Sequence, residues 1–248
     1  MKILVIGDSC KDVFIYGTCD RLAPAAPVPV FVPEYQRENR GMAGNVYENM
    51  LSLKVDVDLL TNTSEISKTR YVEKKTNHML VRIDSGEEKI DRIENIESYP
   101  YCEYDAIIIS DYDKGFLETE DIEYISQQHQ TVFLDTKKLL GEWTKHVNFI
   151  KINEVEHQQS LHLIKDKDWY HRKLIVTRGS KGCTYGDNTF SVRNVEIKDL
   201  TGAGDTFLSA LVYQYVMSEG DILSAIGFAN ECATLVVQQK GVNTLYGF

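Results

Sequence analysis

The sequence predicts an α/β fold, a doubly wound and mostly parallel sheet carrying a small antiparallel β lid. Short apolar runs bounded by Gly, Asp or Asn recur along the chain without strict alternation, as strands buried on both faces of a parallel sheet require. Stretches with helical character fall between these runs, and strand-then-helix alternation is the pattern of a doubly wound sheet. A second set of short runs, with mixed polar and apolar positions, lies outside that alternation.

In order, the predicted core strands are residues 2–6, 55–60, 106–109, 131–134, 148–152 and 173–177. The helices between and after them are residues 43–53, 118–128, 154–163, 205–217 and 223–239. The pieces outside the pattern are residues 12–17, 28–36, 69–75 and 79–84, which puts the lid within 12–36 and 68–85. Pro24, Pro27, Pro29 and Pro33 suit loops and edge strands there, because proline cannot donate to a ladder. With no internal repeat or low-complexity linker, residues 1–248 read as a single domain with its lid.

Composition narrows the function. At 248 residues, 43% hydrophobic and 26% charged, the chain can bury a core without disulfide staples. Its formal charge of -10, from 27 basic and 37 acidic residues, lacks the cationic footprint of a nucleic-acid binder. Cys10, Cys19, Cys102, Cys183 and Cys232 are scattered and form no Cys-x-x-Cys pair, against a disulfide framework or structural zinc site. The chain opens on the apolar run Lys2-Ile3-Leu4-Val5-Ile6, too short for a signal peptide, and no stretch reaches membrane-spanning length. A cytoplasmic location with no membrane partner is expected. The histidines show no metal-ligand spacing, and the 14 tyrosines are too scattered for a stacking platform.

The strongest local signal is Asp199-Leu200-Thr201-Gly202-Ala203-Gly204-Asp205-Thr206-Phe207, leading into an apolar helical stretch. Two glycines and an alanine let the backbone turn tightly with its N–H groups facing one space. At a helix start, such amides form an anion hole suited to a phosphoryl group developing charge, and Asp205 could accept the proton of an attacking hydroxyl. A glycine-rich turn capped by Asp205 or Thr206 would leave the same pattern, and the residues alone divide the two readings evenly. No Gly-x-x-x-x-Gly-Lys-Ser/Thr loop exists, and no Gly-x-Gly-x-x-Gly follows the first strand, which disfavours a nicotinamide dehydrogenase.

The Asp199–Phe207 stretch resembles the C-terminal signature of the ribokinase-like (PfkB) carbohydrate kinases. Other stations follow in the family's order. Gly41-Met42-Ala43-Gly44-Asn45 is similar to the N-terminal glycine-rich signature, Asn153-Glu154-Val155-Glu156 to an Asn-x-x-Glu, and Val176-Thr177-Arg178-Gly179-Ser180-Lys181-Gly182 to the strand-turn bordering the nucleotide. The resemblance covers nearly the whole chain and implies an ATP- and Mg²⁺-dependent sugar kinase, with a monovalent cation such as K⁺ left open. It implies Asp205 as base and the Gly202, Ala203 and Gly204 amides as anion hole. By the same resemblance Asp12, Gly41 and Asn45 meet the sugar, Asn153, Thr177, Gly179, Gly182 and Asn230 line the ATP site, and Glu156 organises the metal.

A narrower likeness concerns the acceptor. Gly7-Asp8, Asp12, Tyr16-Gly17 and residues 21–30 (Arg-Leu-Ala-Pro-Ala-Ala-Pro-Val-Pro-Val) look like the opening of heptose 7-phosphate kinases. Lys68-Thr69-Arg70, residues 80–84, residues 110–115 and Asp135-Thr136-Lys137 extend it. This implies a phosphorylated sugar, most closely a heptose 7-phosphate attacking through its anomeric hydroxyl, with Arg70, Arg82 and Lys114 meeting its phosphate. No nucleotidyltransferase half follows Phe248, so the expectation is the kinase step alone. A kinase of fructose, ribose or a nucleoside, and a non-catalytic sugar or nucleotide sensor, remain as alternatives. Two features depart from the pattern: Met42 replaces a glycine, and only residues 61–67 separate the second core strand from the lid, where relatives place a helix and strand. The resemblance also implies a homodimer through the lid strands, whose edges would otherwise be open to pairing.

Overall fold

Chain order begins with β1 (Lys2–Gly7), β2 (Ser9–Thr18), β3 (Val32–Met42), α1 (Ala43–Ser52) and β4 (Asp56–Leu60). β5 (Ser67–Glu73), β6 (His78–Ser85), β7 (Ala106–Asp111), α2 (Thr119–Gln128), β8 (Val132–Thr136) and β9 (Phe149–Asn153) follow. Then come α3 (Glu154–Ile164), β10 (Leu174–Thr177), β11 (Cys183–Tyr185), β12 (Asn188–Phe190), α4 (Ala203–Met217) and α5 (Ile222–Val236). The structure, a computed structural model, describes residues 1–239, 241, 242, 244 and 245, without the side chain of Lys89.

The main sheet has the order β12-β11-β10-β9-β8-β7-β1-β4, parallel from β10 to β4. β1 shows why its sequence lacks polar alternation: Ile3 and Val5 face one core and Leu4 and Ile6 the other, all four without exposed surface. Burying each such side chain is worth about 1.5–3 kcal/mol. α1, α4 and α5 cover the first face; α2 and α3 contribute to the second. The ribokinase-like doubly wound expectation holds. The antiparallel pair β11–β12 at the sheet edge was not foreseen, because three-residue strands are too short to show a period. α4 starts two residues earlier than expected, and α5 ends at Val236 rather than at residue 239.

The lid is a second sheet of order β3-β2-β5-β6, antiparallel at both outer pairs and parallel in its centre, β2 against β5. That parallel pair follows from the main sheet. β1 runs on into β2 and β4 into β5, and β1 and β4 are parallel neighbours, so their extensions keep that direction. Residues 28–31, expected as strand, carry only an isolated bridge from Leu22 to Pro29.

The short link after β4 is held by side chains instead of by extra elements. The Thr61 hydroxyl donates to the Gly7 carbonyl at 2.7 Å, and Asn62 both accepts from Ser9 N at 2.8 Å and donates to Ser9 O at 3.1 Å. Asp91 accepts from the Thr63 and Ser64 amides at 2.9 and 2.7 Å. The lid root is therefore pinned on both sides of the crossing from one sheet to the other.

α1 and α4 meet along a buried polar seam. Asn49 donates to Asn45 O at 2.8 Å, Thr206 donates to Asn49 Oδ1 at 3.3 Å, and Ser209 donates to Asp205 O at 2.9 Å. Buried polar groups demand partners, so a slip of one helix against the other would orphan several at once. The seam thus fixes which residue of α1 faces the start of α4.

Gly7 closes β1 where the two sheets part. A Cβ there would lie 1.9 Å from the Ser110 carbonyl oxygen, a backbone atom that cannot move without parting β1 from β7. Overpacking of this kind costs about 1–3 kcal/mol or more. Gly7→Ala is expected to lower the midpoint of thermal unfolding by roughly 4–10 °C, read by calorimetry; an unchanged midpoint would show that this crossing is loose.

Candidate active site

The glycine-rich loop is built to start a helix against α1. Asp199 accepts from the Thr201 amide at 2.9 Å, a local turn of the Asx kind, and from the Gly241 amide at 3.1 Å. Gly202 then takes φ 81°, and a Cβ on it would meet Asn45 Nδ2 at 2.8 Å. Both the turn and the close approach of Asn45 require glycine here. α4 follows at once. The Ala203 amide is used in the turn, donating to Leu200 O at 3.3 Å. The Gly204 and Asp205 amides lie in a first helical turn, whose N–H groups have no intrahelical acceptor, at the positive end of the helix dipole.

The Asp205 carboxylate lies beside these amides and is 6% exposed. Its Oδ2 accepts from Asn45 Nδ2 at 2.8 Å and its Oδ1 from the Tyr112 hydroxyl at 2.6 Å. Burial raises its pKa above the ordinary carboxylate range; the two hydrogen bonds and the charge of Lys151 pull it back, and Asp135 adds to the rise. Tyr112 is pushed well above the usual phenol value by burial and by the Asp205 charge, so it remains a donor. Its backbone is fixed by Asp8, which accepts from the Tyr112 amide at 2.6 Å and from the Phe116 amide at 3.2 Å.

Two cavities meet at Asp205. The larger, about 480 Å³, is lined by Asn153, Thr177, Gly179, Gly182, Asn230 and the stretch from Gly202 to Asp205. The smaller, about 330 Å³, is lined by Asp12, Asn45, Arg70, Arg82, Lys114 and Gly202. Tyr112, Lys137, Gly202 and Asp205 line both. The expected nucleotide and sugar residues are thus sorted into separate chambers. Gly182, at φ 82°, lets the chain turn back under Phe190, and Asn230 ties α5 to the same edge by donating to Phe190 O at 3.3 Å.

Two of the expected site residues stand outside both linings. Gly41 faces Asp12, whose Oδ2 would be 2.3 Å from an added Cβ; its part is to leave room for that carboxylate. Glu156 forms a reciprocal capping box with Asn153, at 2.7 and 2.9 Å, and its other oxygen pairs with Lys137. An Asn-x-x-Glu spacing is also a capping-box spacing, and here the pattern caps α3.

The smaller chamber is rich in basic side chains, each matched by a carboxylate. Lys68, Arg70, Arg82, Lys114 and Lys137 line it. Arg70 is paired with Asp12, Arg82 with Asp84 at 2.8 Å, and Glu87 bridges Lys68 and Lys114 at 2.6 Å each. Cys10 also lines it, its thiol pushed up to about 12 by burial and by Asp12, so no thiolate is present.

Sequence reasoning gave no role to Tyr112, Lys137, Lys68, Asp135 or Lys151. Four of them lie in stretches that carried the family likeness, which was the available signal; Lys151 sits inside an apolar strand and gave none. A metal accompanying a nucleotide phosphate would find one fitting donor. Asp135 is 4% exposed and its Oδ1 has no partner among the described residues, although it faces the larger chamber. Glu156, with both oxygens engaged, could serve only through water.

Removing the Tyr112 hydroxyl tests the electrostatics. The bond it donates favours ionised Asp205, so Tyr112→Phe should raise the Asp205 pKa further. The sign for stability follows: a folded pKa above the unfolded one makes stability fall as pH rises between the two, and the variant widens that window upward. Carboxyl-selective NMR titration reads the shift; a downward shift would contradict this account.

Comparison with known proteins gives the family. The pfkB family carbohydrate kinase model matches residues 43–246. Bifunctional protein HldE of a Nitratiruptor species is 29% identical over 291 residues, covering 98% of this chain and 63% of its own length. Bifunctional protein HldE of Helicobacter pylori strain J99 is 30% identical over 294 residues, covering 97% of this chain and 63% of its own. The chain spans just under two thirds of these relatives, and each alignment is longer than the chain, so they carry residues it lacks. Phosphofructokinase-2 from Escherichia coli, in complex with potassium, superposes with a TM-score of 0.71 at 12% identity, covering 98% of this chain and 94% of its own. Arabidopsis thaliana ribokinase, complexed with ribose and ATP, gives 0.69 at 14%, covering 97% and 93%. At such identities these likenesses show the fold. By the family match, the chain belongs to the pfkB family of carbohydrate kinases.

Proposed function

We propose that the chain transfers the γ-phosphoryl group of ATP to a phosphorylated sugar, with the anomeric hydroxyl of a heptose 7-phosphate as acceptor. The observation that carries this is the position of Asp205 where two chambers meet, one lined with the expected nucleotide residues and one with cations. ATP enters the larger chamber with its γ-phosphate toward the start of α4, and the sugar enters the smaller one with a hydroxyl toward Asp205. Asp205 takes the hydroxyl proton as the oxygen attacks phosphorus, and the Gly202 and Gly204 amides of the expected anion hole, joined by that of Asp205 in place of the turn-bound Ala203 amide, stabilise the equatorial oxygens. The transfer needs position and charge stabilisation more than covalent help.

The acceptor class rests on the second chamber. Five basic side chains line this small cavity, each also paired with a carboxylate, and an anionic group on the ligand would share their N–H donors with those carboxylates. The likeness of the opening segment to heptose 7-phosphate kinases supports the sugar. Mg²⁺, which neutralises charge on the β- and γ-phosphates, would be held by Asp135, with Glu156 acting through water. The proposal extends to K⁺ as a stimulating cation, to a cytoplasmic location, and to a homodimer through the lid. Val32, Tyr35, Met79, Val81 and Ile83 leave about half their surface exposed on the lid's outer strands β3 and β6, as a covering partner would explain. No helix among the described residues is long and apolar enough to cross a membrane.

An ADP-release assay over sugars, sugar phosphates and nucleosides tests the acceptor, with and without Mg²⁺ and K⁺. Turnover is expected with a heptose 7-phosphate. Preference for an unphosphorylated sugar or nucleoside would select the other kinase reading, and binding without turnover would select a sensor. Lys114→Met should raise KM for the phosphorylated acceptor about tenfold or more, with a smaller effect on kcat, the size of one lost charge-assisted bond.

Asp205→Asn should lower kcat by roughly 10²–10⁴-fold, the usual worth of a general base, while ATP affinity stays within a few-fold. Because burial penalises the ionised carboxyl, the same variant should unfold at a higher temperature near neutral pH. Retained turnover would remove Asp205 from the base role. Light scattering at working concentration reads the oligomer, where a monomer would refute the lid dimer.

A further inference from the structure

β9 places one charged residue in an otherwise apolar strand. Ile150 and Ile152 face the core beneath α2 and α3, so strand alternation turns Lys151 to the opposite face, toward α4. It is 5% exposed and lines the larger chamber. On the neighbouring strand its register partner is Asp135, which accepts its ammonium.

Three features of this pair are not explained by stability. First, a buried salt bridge contributes little net stability over a well-packed apolar pair, and the other buried positions of β9 are apolar. Second, an ammonium carries three N–H donors, and that of Lys151 makes one hydrogen bond among the described residues. Third, Gly204 makes room for it: a Cβ at Gly204 would lie 3.0 Å from Lys151 Nζ. The ammonium therefore rests against the first turn of α4, beside amides without a partner among the described residues, with donors to spare. Asp135 holds it there.

We infer that Lys151 donates to the γ-phosphoryl group of ATP, completing from the chamber floor the anion site that the α4 amides begin. This inference rests on the reading of the α4 start as the phosphoryl site. In the transfer, a bond forms between the acceptor oxygen and the γ-phosphorus, and the bond to the β–γ bridging oxygen breaks. Its electron pair leaves with ADP, and the hydroxyl proton goes to Asp205. Lys151 exchanges no proton. Its charge meets the oxygens that carry negative charge during transfer, so it discriminates ATP from ADP as well as accelerating the step.

Calorimetric titration of the purified chain with ADP and with a non-hydrolysable ATP analogue, both with Mg²⁺, tests this apart from turnover. For Lys151→Met, the analogue should bind about tenfold or more weakly while ADP affinity stays within about threefold, the pattern of one lost charge-assisted bond at the γ-phosphate. Turnover should fall about a hundredfold or more, as when one transition-state donor is removed. Lys151→Arg, which keeps the charge, should recover part of the preference for the analogue. A purely structural pair would lower the unfolding temperature and leave the analogue-to-ADP ratio unchanged, and that result overturns the inference, as does equal loss of both ligands. Should Lys151→Met fail to fold, Gly204→Ala keeps the ion pair and displaces the ammonium. The ratio should still fall; an unchanged ratio overturns the inference. Wild-type protein that binds the analogue more tightly than ADP yet phosphorylates no sugar would refute the proposed function while leaving this contact standing.

Discussion

An ionisable carboxylate kept out of water is the constraint on which the rest of this structure depends. Burying a lone carboxylate costs several kcal/mol even after relaxation, so Asp205 persists only where its surroundings offset that cost. The offset has three sources, and each arrives on a different element. The start of α4 brings dipole and amides, α1 brings Asn45, and the loop after β7 brings the Tyr112 hydroxyl. Each is fixed by a buried polar network of its own: the α1–α4 seam for Asn45, Asp8 for Tyr112, Asp199 for the loop. The helices and the main sheet are therefore coupled through one side chain, whose raised pKa records that the offset is incomplete.

The same economy governs the lid. Because β2 and β5 prolong the parallel pair β1 and β4, the second chamber needs no hinge domain; it is roofed by strands already aligned by the main sheet. In place of the helix and strand that the family resemblance leads one to expect after β4, Thr61, Asn62 and Asp91, short polar side chains, satisfy the local backbone groups. Lys68 and Arg70 sit on β5 and Arg82 on the adjoining β6, so the placement of these basic side chains in the chamber is a property of lid register.

Much of this was legible in the sequence, and what was not has a physical reason. The strands were visible because burial on two faces demands unbroken apolar runs, and the Gly202–Asp205 turn because only small residues permit it. Tyr112, Asp135 and Lys137 act through neighbours far along the chain, and no local spacing announces a pairing across parallel strands. Lys151 is harder still: within Ile150-Lys151-Ile152 it looks like a solvent-facing strand position, and only the register against Asp135 shows that it faces a chamber. Asn153 and Glu156 illustrate the opposite hazard. The spacing suited a metal-organising pair, yet helix capping requires the same spacing, and the geometry satisfies the cap first.

Met42 shows how a departure from the family pattern can be physically self-consistent. It sits at φ 59°, ψ -133°, a conformation that glycine takes freely and other residues adopt at a cost of about 1–3 kcal/mol. Its side chain is buried against Cys10, Ile66 and Tyr112, and such burial returns about 1.5–3 kcal/mol. The two terms are of equal size, so the exchange of backbone freedom for an apolar contact is nearly neutral for folding. It is not neutral for the site. Met42 lines the smaller chamber and belongs to the cluster against which Tyr112 packs. A glycine would widen the chamber there and leave Tyr112 with Asp8 as its main restraint. Under the proposed function, Met42 in place of glycine would trade room for the acceptor against a firmer hold on Tyr112 and through it on Asp205, tying acceptor selection to the proposed base.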